Sequence, residues 1–232
     1  MLWVIFGVTM IASLIVHWRL NSKFKKYAQI GLRSNLTGAE IAAMMLQDHR
    51  INDVQITCVE GHLTDHYNPA DKTINLSAEV FYGNSAASAA VAAHECGHAV
   101  QHATAYAMLE FRSMMVPLQN ISGWFLNILF IVVFFGGYFF LSFIPITTVL
   151  LIVIAAHGII TLFSFITLPV EFDASKRALV WMTDRGIVTR EENAMAKDAL
   201  NTAALTYVIA ALGSLATLMY YVVSYLGINN ND

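Results

Sequence analysis

Apolar positions run almost unbroken through three stretches of the chain, and polar positions gather in two blocks between them. Residues 2–18, 113–170 and 199–231 contain no Asp, Glu, Lys or Arg, and the middle stretch alone is 58 residues long. A helix needs about 20 apolar residues to cross the hydrocarbon core of a bilayer. The middle stretch therefore holds two crossings, with Pro145 as the turn, at 121–143 and 147–168. The last holds one, at 204–226, and the first holds a short N-terminal anchor, 1–18.

The polar blocks carry shorter periodicities. Thr37 and Glu40 form a T-x-x-E capping box, which predicts a helix from there to His49. Residues 54–59 alternate apolar and polar in the manner of a half-buried strand. Strands at 63–67 and 73–77 flank the turn Asn68-Pro69-Ala70-Asp71, giving a β-hairpin. Ser85 caps an alanine-rich helix over 86–115, with a break or kink expected at Pro117. Pro169 separates the third crossing from a helix at 170–184, which Gly186 ends. Thr189 and Glu192 open the helix that runs into the last crossing. The expected fold is mainly α, a multi-pass membrane helical bundle with a small α+β unit. Its segments are 1–18, 19–120, 121–168, 169–203 and 204–226, the second and fourth being polar.

Composition reinforces the bilayer. The chain is 57% hydrophobic and 12% charged, where soluble domains carry about 25% charged residues. A net charge of −3 offers no basic surplus for nucleic acid, so none is expected as a partner. Residues 2–18 lack a preceding basic region and a small-x-small cleavage site, and so read as an uncleaved anchor. Basic residues follow it instead, at Arg19, Lys23, Lys25, Lys26 and Arg33, and lysine and arginine favour the cytoplasmic side. All thirteen basic residues fall within 19–120 and 169–203. Both polar blocks are therefore expected in the cytoplasm, with the two termini outside a plasma membrane. The two cysteines, Cys58 and Cys96, fit reduced thiols in that compartment.

Chemistry enters at His94-Glu95-Cys96-Gly97-His98. Residues four apart share a helix face, so His94 and His98 can hold one Zn²⁺. Glu95 lies about 100° round the helix from His94. It can reach a zinc-activated water as general base, and then protonate the leaving amine, without being a ligand. With eight His in 232 residues and as many Glu, chance yields on the order of 0.01 such matches. A catalytic zinc takes three protein ligands. His102 is eight residues beyond His94, about 12 Å along a straight helix, and cannot join it on one ion. Glu171, the first charge after the long apolar stretch, is either that third ligand or an interfacial carboxylate paired with Lys176. An even number of crossings returns it to the side of the histidines.

Three segments carry a family resemblance: LTDHYNPADKTINLS at 63–77, VAAHECGHAVQH at 91–102 and LPVEFDASKRAL at 168–179. They resemble the YugP-like family of small bacterial membrane zinc metallopeptidases and, more distantly, the gluzincins. The resemblance implies a zincin-like cytoplasmic unit, one catalytic Zn²⁺, and Glu171 as third ligand. Gluzincins often place an Asp four residues after that Glu, where this chain has Ser175; Asp173 comes two after. Orientation of an imidazole thus falls to Asp173, to Ser175, or to neither. An edge strand beside such a site pairs with extended substrate. His66 and Tyr67 on the 63–77 hairpin are candidates to steady the oxyanion, although turn chemistry alone accounts for the hairpin. The expected activity is zinc-dependent endopeptidase cleavage of peptides or membrane proteins, with the lipid bilayer as the other partner. A zinc-binding scaffold or regulator without turnover is the alternative.

Overall fold

The computed structural model describes residues 1–141 and 144–229. The chain is mainly helical, with one small sheet. Its elements are α1 (Leu2–Ala28), α2 (Gly38–Asp48), β1 (Gln55–Val59), β2 (His66–Asn68), β3 (Thr73–Ser77), α3 (Ala78–Phe81), α4 (Ala86–Ala103), α5 (Ala107–Leu141), α6 (Ile146–Asp184) and α7 (Arg190–Asn229). The last two residues of the expected second crossing, 142–143, and the tail 230–232 lie outside the described residues.

Among the described residues, four helices are long and apolar enough to cross a membrane: α1, α5, α6 and α7. Their apolar windows are only 6% to 22% buried. Trp3, Phe6, Trp124, Phe130, Phe134 and Met219 all point outward. In water such surface would drive aggregation; in lipid it is the solvated face.

The chain divides into two compact units. One comprises Met1–Leu14, Phe111–Thr167 and the residues from Tyr207 onward; the other comprises Ile15–Glu110 and Leu168–Thr206. Within the first, Thr9 closes on Gly213, and the His157 ring meets Tyr221 at 5.0 Å. His157 Nδ1 lies 3.0 Å from the Val153 carbonyl, one turn back on its own helix.

The second unit holds the polar blocks and one apolar core. Ile41 and Met45 of α2, Ile74 and Leu76 of β3, Val80 of α3 and Met182 of α6 are wholly buried. Each such side chain contributes about 1.5–3 kcal/mol. They pack on the alanines of α4, among them Ala89, Ala90, Ala93 and the more distal Ala99. β1 pairs with β3 in parallel and β2 pairs with β3 antiparallel, so the strand order is β1-β3-β2 and β2 is an edge. Tyr67 stands opposite Ile74. Both capping boxes form: Glu40 and Thr37 bond reciprocally, and so do Glu192 and Thr189.

Three expectations need correcting. The alanine-rich helix ends at Ala103 rather than 115. Ala105 takes a left-handed φ of 49° and Tyr106 N–H bonds back to the Gln101 carbonyl, a closure of the Schellman kind. Pro117 and Pro169 end nothing; each sits inside a continuous helix, α5 and α6. Proline removes one N–H, and packing in an apolar bundle tolerates the loss. The strand expected at 63–67 shrinks to His66–Asn68. Leu63 is left-handed at φ 56°, and Asp65 turns to accept Ser77 N–H at 2.7 Å.

One close backbone approach in this unit, between α4 and α6, decides the site. A Cβ added at Gly97 of α4 would lie 2.5 Å from the Ala174 carbonyl oxygen of α6. Only glycine lets the two backbones come so near. Gly97→Ala is expected to destabilise the protein by about 1–3 kcal/mol through overpacking. Thermal unfolding in detergent measures it, and an unchanged midpoint would contradict the contact.

Candidate metal centre

The Gly97–Ala174 contact sets a ligand pair against a carboxylate. His94 and His98 flank Gly97 on α4, and Glu171 lies one turn before Ala174 on α6. One donor atom from each of His94, His98 and Glu171 falls within a 4.8 Å set. Glu171 Oε2 is 3.4 Å from His94 Nε2 and 3.7 Å from His98 Nε2. The three side chains are only 14%, 12% and 5% exposed.

Those separations test the fit to zinc. Donors at 2.0–2.1 Å from a tetrahedral ion stand about 3.3–3.4 Å from one another. Distances of 3.4 and 3.7 Å are long for direct hydrogen bonds and suit edges of such a tetrahedron. Two imidazole nitrogens and a carboxylate oxygen are also a donor set that zinc takes. Electrostatics agree. Burial opposes a charge on His98, but the neighbouring Glu171 and Glu95 carboxylates outweigh it and raise its pKa above the ordinary imidazole value. The cluster calls for a cation, as a proton or as a metal.

The remaining ring nitrogens are engaged. Ser175 Oγ is 3.1 Å from His94 Nδ1, and Gln101 Oε1 is 3.0 Å from His98 Nδ1. Gln101 Nε2 in turn donates to Asp173 Oδ2 at 2.9 Å, and Arg177 Nε donates to the same oxygen at 2.5 Å. So Ser175 meets one imidazole directly, while Asp173 reaches the other through Gln101. No sequence motif announces Gln101 as a site residue. Its signal was position: it lies three residues after His98, on the same face of the helix.

Glu95 is 8% exposed and outside the three-donor set. Its Oε2 accepts the Tyr67 main-chain N–H at 2.9 Å, so edge strand β2 touches it directly. The Tyr67 hydroxyl turns the other way, to His102 Nδ1 at 2.7 Å. The imidazole of His66 is not brought to the cluster. It is exposed, with Nδ1 at the Thr64 carbonyl and Nε2 near Asn75 Nδ2. Cys96 is fully buried with Sγ 3.6 Å from the Ala42 carbonyl, and burial, then the Glu95 charge, push its thiol pKa far up. It is a packing residue.

Comparison with known proteins bears on the same residues. The family described as "Putative neutral zinc metallopeptidase" matches residues 2–226. The chain is 37% identical over 214 residues to the "Putative membrane protease YugP" of Bacillus subtilis (strain 168), covering 92% of each chain. No solved structure matches. A match over almost the whole length, on a chain with four apolar helices and a His-His-Glu cluster, means that this protein belongs to the neutral zinc metallopeptidase family.

Proposed function

We propose that this protein is a membrane-embedded zinc metalloendopeptidase that hydrolyses peptide bonds in a site built by α4, α6 and β2. The observation that carries this reading is the convergence of His94, His98 and Glu171 from two helices, with Glu95 beside them yet outside the donor set. His94, His98 and Glu171 would hold one zinc ion. When bound, zinc polarises the scissile carbonyl and makes water acidic enough to deprotonate near neutral pH. Glu95 takes the proton of the attacking water and returns it to the leaving amine. The Tyr67 N–H fixes the Glu95 carboxylate, and β2, an edge strand, runs beside it where extended substrate would lie. An H-E-x-x-H helix crossed by an edge strand is a zincin-like arrangement.

The polar segments 19–120 and 169–203 form the catalytic part, facing the cytoplasm. Segments 1–18, 121–168 and 204–226 cross the plasma membrane, leaving both termini outside. The distribution of all thirteen basic residues supports that orientation. A site close to the bilayer suits membrane proteins or their exposed loops as substrates.

The test is removal and return of the metal. A chelator is expected to abolish cleavage of an internally quenched peptide by the purified protein, and stoichiometric zinc to restore it. Cleavage that persists in the chelated, zinc-free protein would overturn the proposal.

A further inference from the structure

Gln101 is the polar side chain most completely removed from water in the second unit, with none of it exposed. A buried amide must satisfy one acceptor and two donors. All three are satisfied here: Oε1 by His98 Nδ1 at 3.0 Å, and Nε2 by the Val170 carbonyl at 2.8 Å and Asp173 Oδ2 at 2.9 Å.

These partners leave the amide one orientation. The Val170 carbonyl can only accept. Asp173 Oδ2 already takes a hydrogen bond from Arg177 Nε, so it too is an acceptor. Turning the amide over would set its oxygen against both. Oε1 therefore faces His98, and an oxygen that can only accept requires a hydrogen on His98 Nδ1. The lone pair of the neutral ring is then on Nε2, the atom 3.7 Å from Glu171 Oε2. His94 has no such constraint, because the Ser175 hydroxyl can donate or accept.

Gln101 also joins the two ligand helices. It lies on α4 one turn after His98, and Val170 is the residue before Glu171 on α6. Arg177 lies over the ring of Tyr106 at 5.7 Å, just past the end of α4, and the Tyr106 N–H bonds back to the Gln101 carbonyl at 2.9 Å.

We infer that Gln101 is a positioning residue for the metal site: it locks His98 in the tautomer that presents Nε2 and ties that histidine to the helix bearing Glu171. This rests on the zinc peptidase reading. Partners of ligating imidazoles typically contribute 10–100-fold in metal affinity.

The experiment uses the full-length protein in detergent, with zinc affinity read by chelator competition and coordination read from the visible d–d bands of the cobalt-loaded form. Gln101→Met keeps the volume and deletes all three hydrogen bonds. It is expected to weaken zinc binding about 10–100-fold and to alter the cobalt spectrum, with helical circular dichroism retained. Gln101→Glu keeps the acceptor for His98 but faces Asp173 with a second carboxylate, and it should bind zinc poorly. Adding Asp173→Asn to Gln101→Glu should recover part of the affinity, since the new amide can donate to the new carboxylate, while the Val170 carbonyl still lacks the donor that Gln101 supplied. Wild-type affinity and an unchanged cobalt spectrum in Gln101→Met would overturn the inference. If Gln101→Met does not fold, the paired variants decide: a folded double variant binding no better than Gln101→Glu is equally fatal. Wild-type protein that binds no zinc would sink the peptidase reading as well. Wild type that binds and cleaves, beside an indifferent Gln101→Met, sinks only the role of Gln101.

Discussion

Glu95→Gln is expected to retain full zinc stoichiometry while lowering kcat/KM for a model peptide by about 10²–10⁴-fold. The substitution is nearly isosteric. Its amide oxygen can still accept the Tyr67 N–H, which lies 2.9 Å from the native carboxylate, so the side chain should stay in place. What disappears is basicity. An amide takes no proton from water near neutral pH and so has none to return to the leaving amine. Metal binding should be indifferent, because the donor set is His94, His98 and Glu171. The two measurements separate an enzyme from a zinc-holding scaffold. A scaffold has no use for a base at this position. Peptide cleavage by Glu95→Gln at the wild-type rate, with zinc bound, would remove the catalytic role outright.

What the sequence discloses about this molecule is mainly local. His94 and His98 share a face because the α-helical repeat is close to four residues, and that is readable from spacing alone. The capping pairs Thr37–Glu40 and Thr189–Glu192 are equally local, and both form. The misreadings arise where context overrides a local signal. Pro117 and Pro169 are helix breakers in water, yet α5 and α6 pass through them. The end of α4 was illegible because a left-handed Ala105 does what a glycine or asparagine usually announces. The hairpin strand was overextended because Asp65 spends its carboxylate on Ser77 instead of continuing the ladder. Within the site, Gln101 escaped notice because its partners Val170 and Asp173 are some 70 residues away in sequence, at separations of 69 and 72. Long-range contacts of that kind depend on the Gly97–Ala174 approach, which no periodicity encodes.

That approach is also what makes Glu171 the decisive residue. Spacing alone left it either a ligand or an interfacial carboxylate paired with Lys176. A surface carboxylate would be solvated; Glu171 is 4% exposed, and its ion-pair partners among the described residues are the two imidazoles. A buried carboxylate needs positive charge or hydrogen-bond donors around it. Glu171→Ala should therefore weaken zinc binding by more than about 100-fold, beyond what loss of an outer partner costs, since a donor itself is gone. Cleavage should fall with occupancy and return in part at high zinc concentration, because His94, His98 and Glu95 remain. Glu171→Gln separates charge from shape: it preserves volume and an oxygen donor but not the anion, and it should bind zinc with intermediate affinity. Isothermal competition against a chelator of known affinity ranks the three proteins. If Glu171→Ala holds zinc as tightly as wild type, the ion does not sit between α4 and α6, and hydrolysis at this cluster has no basis.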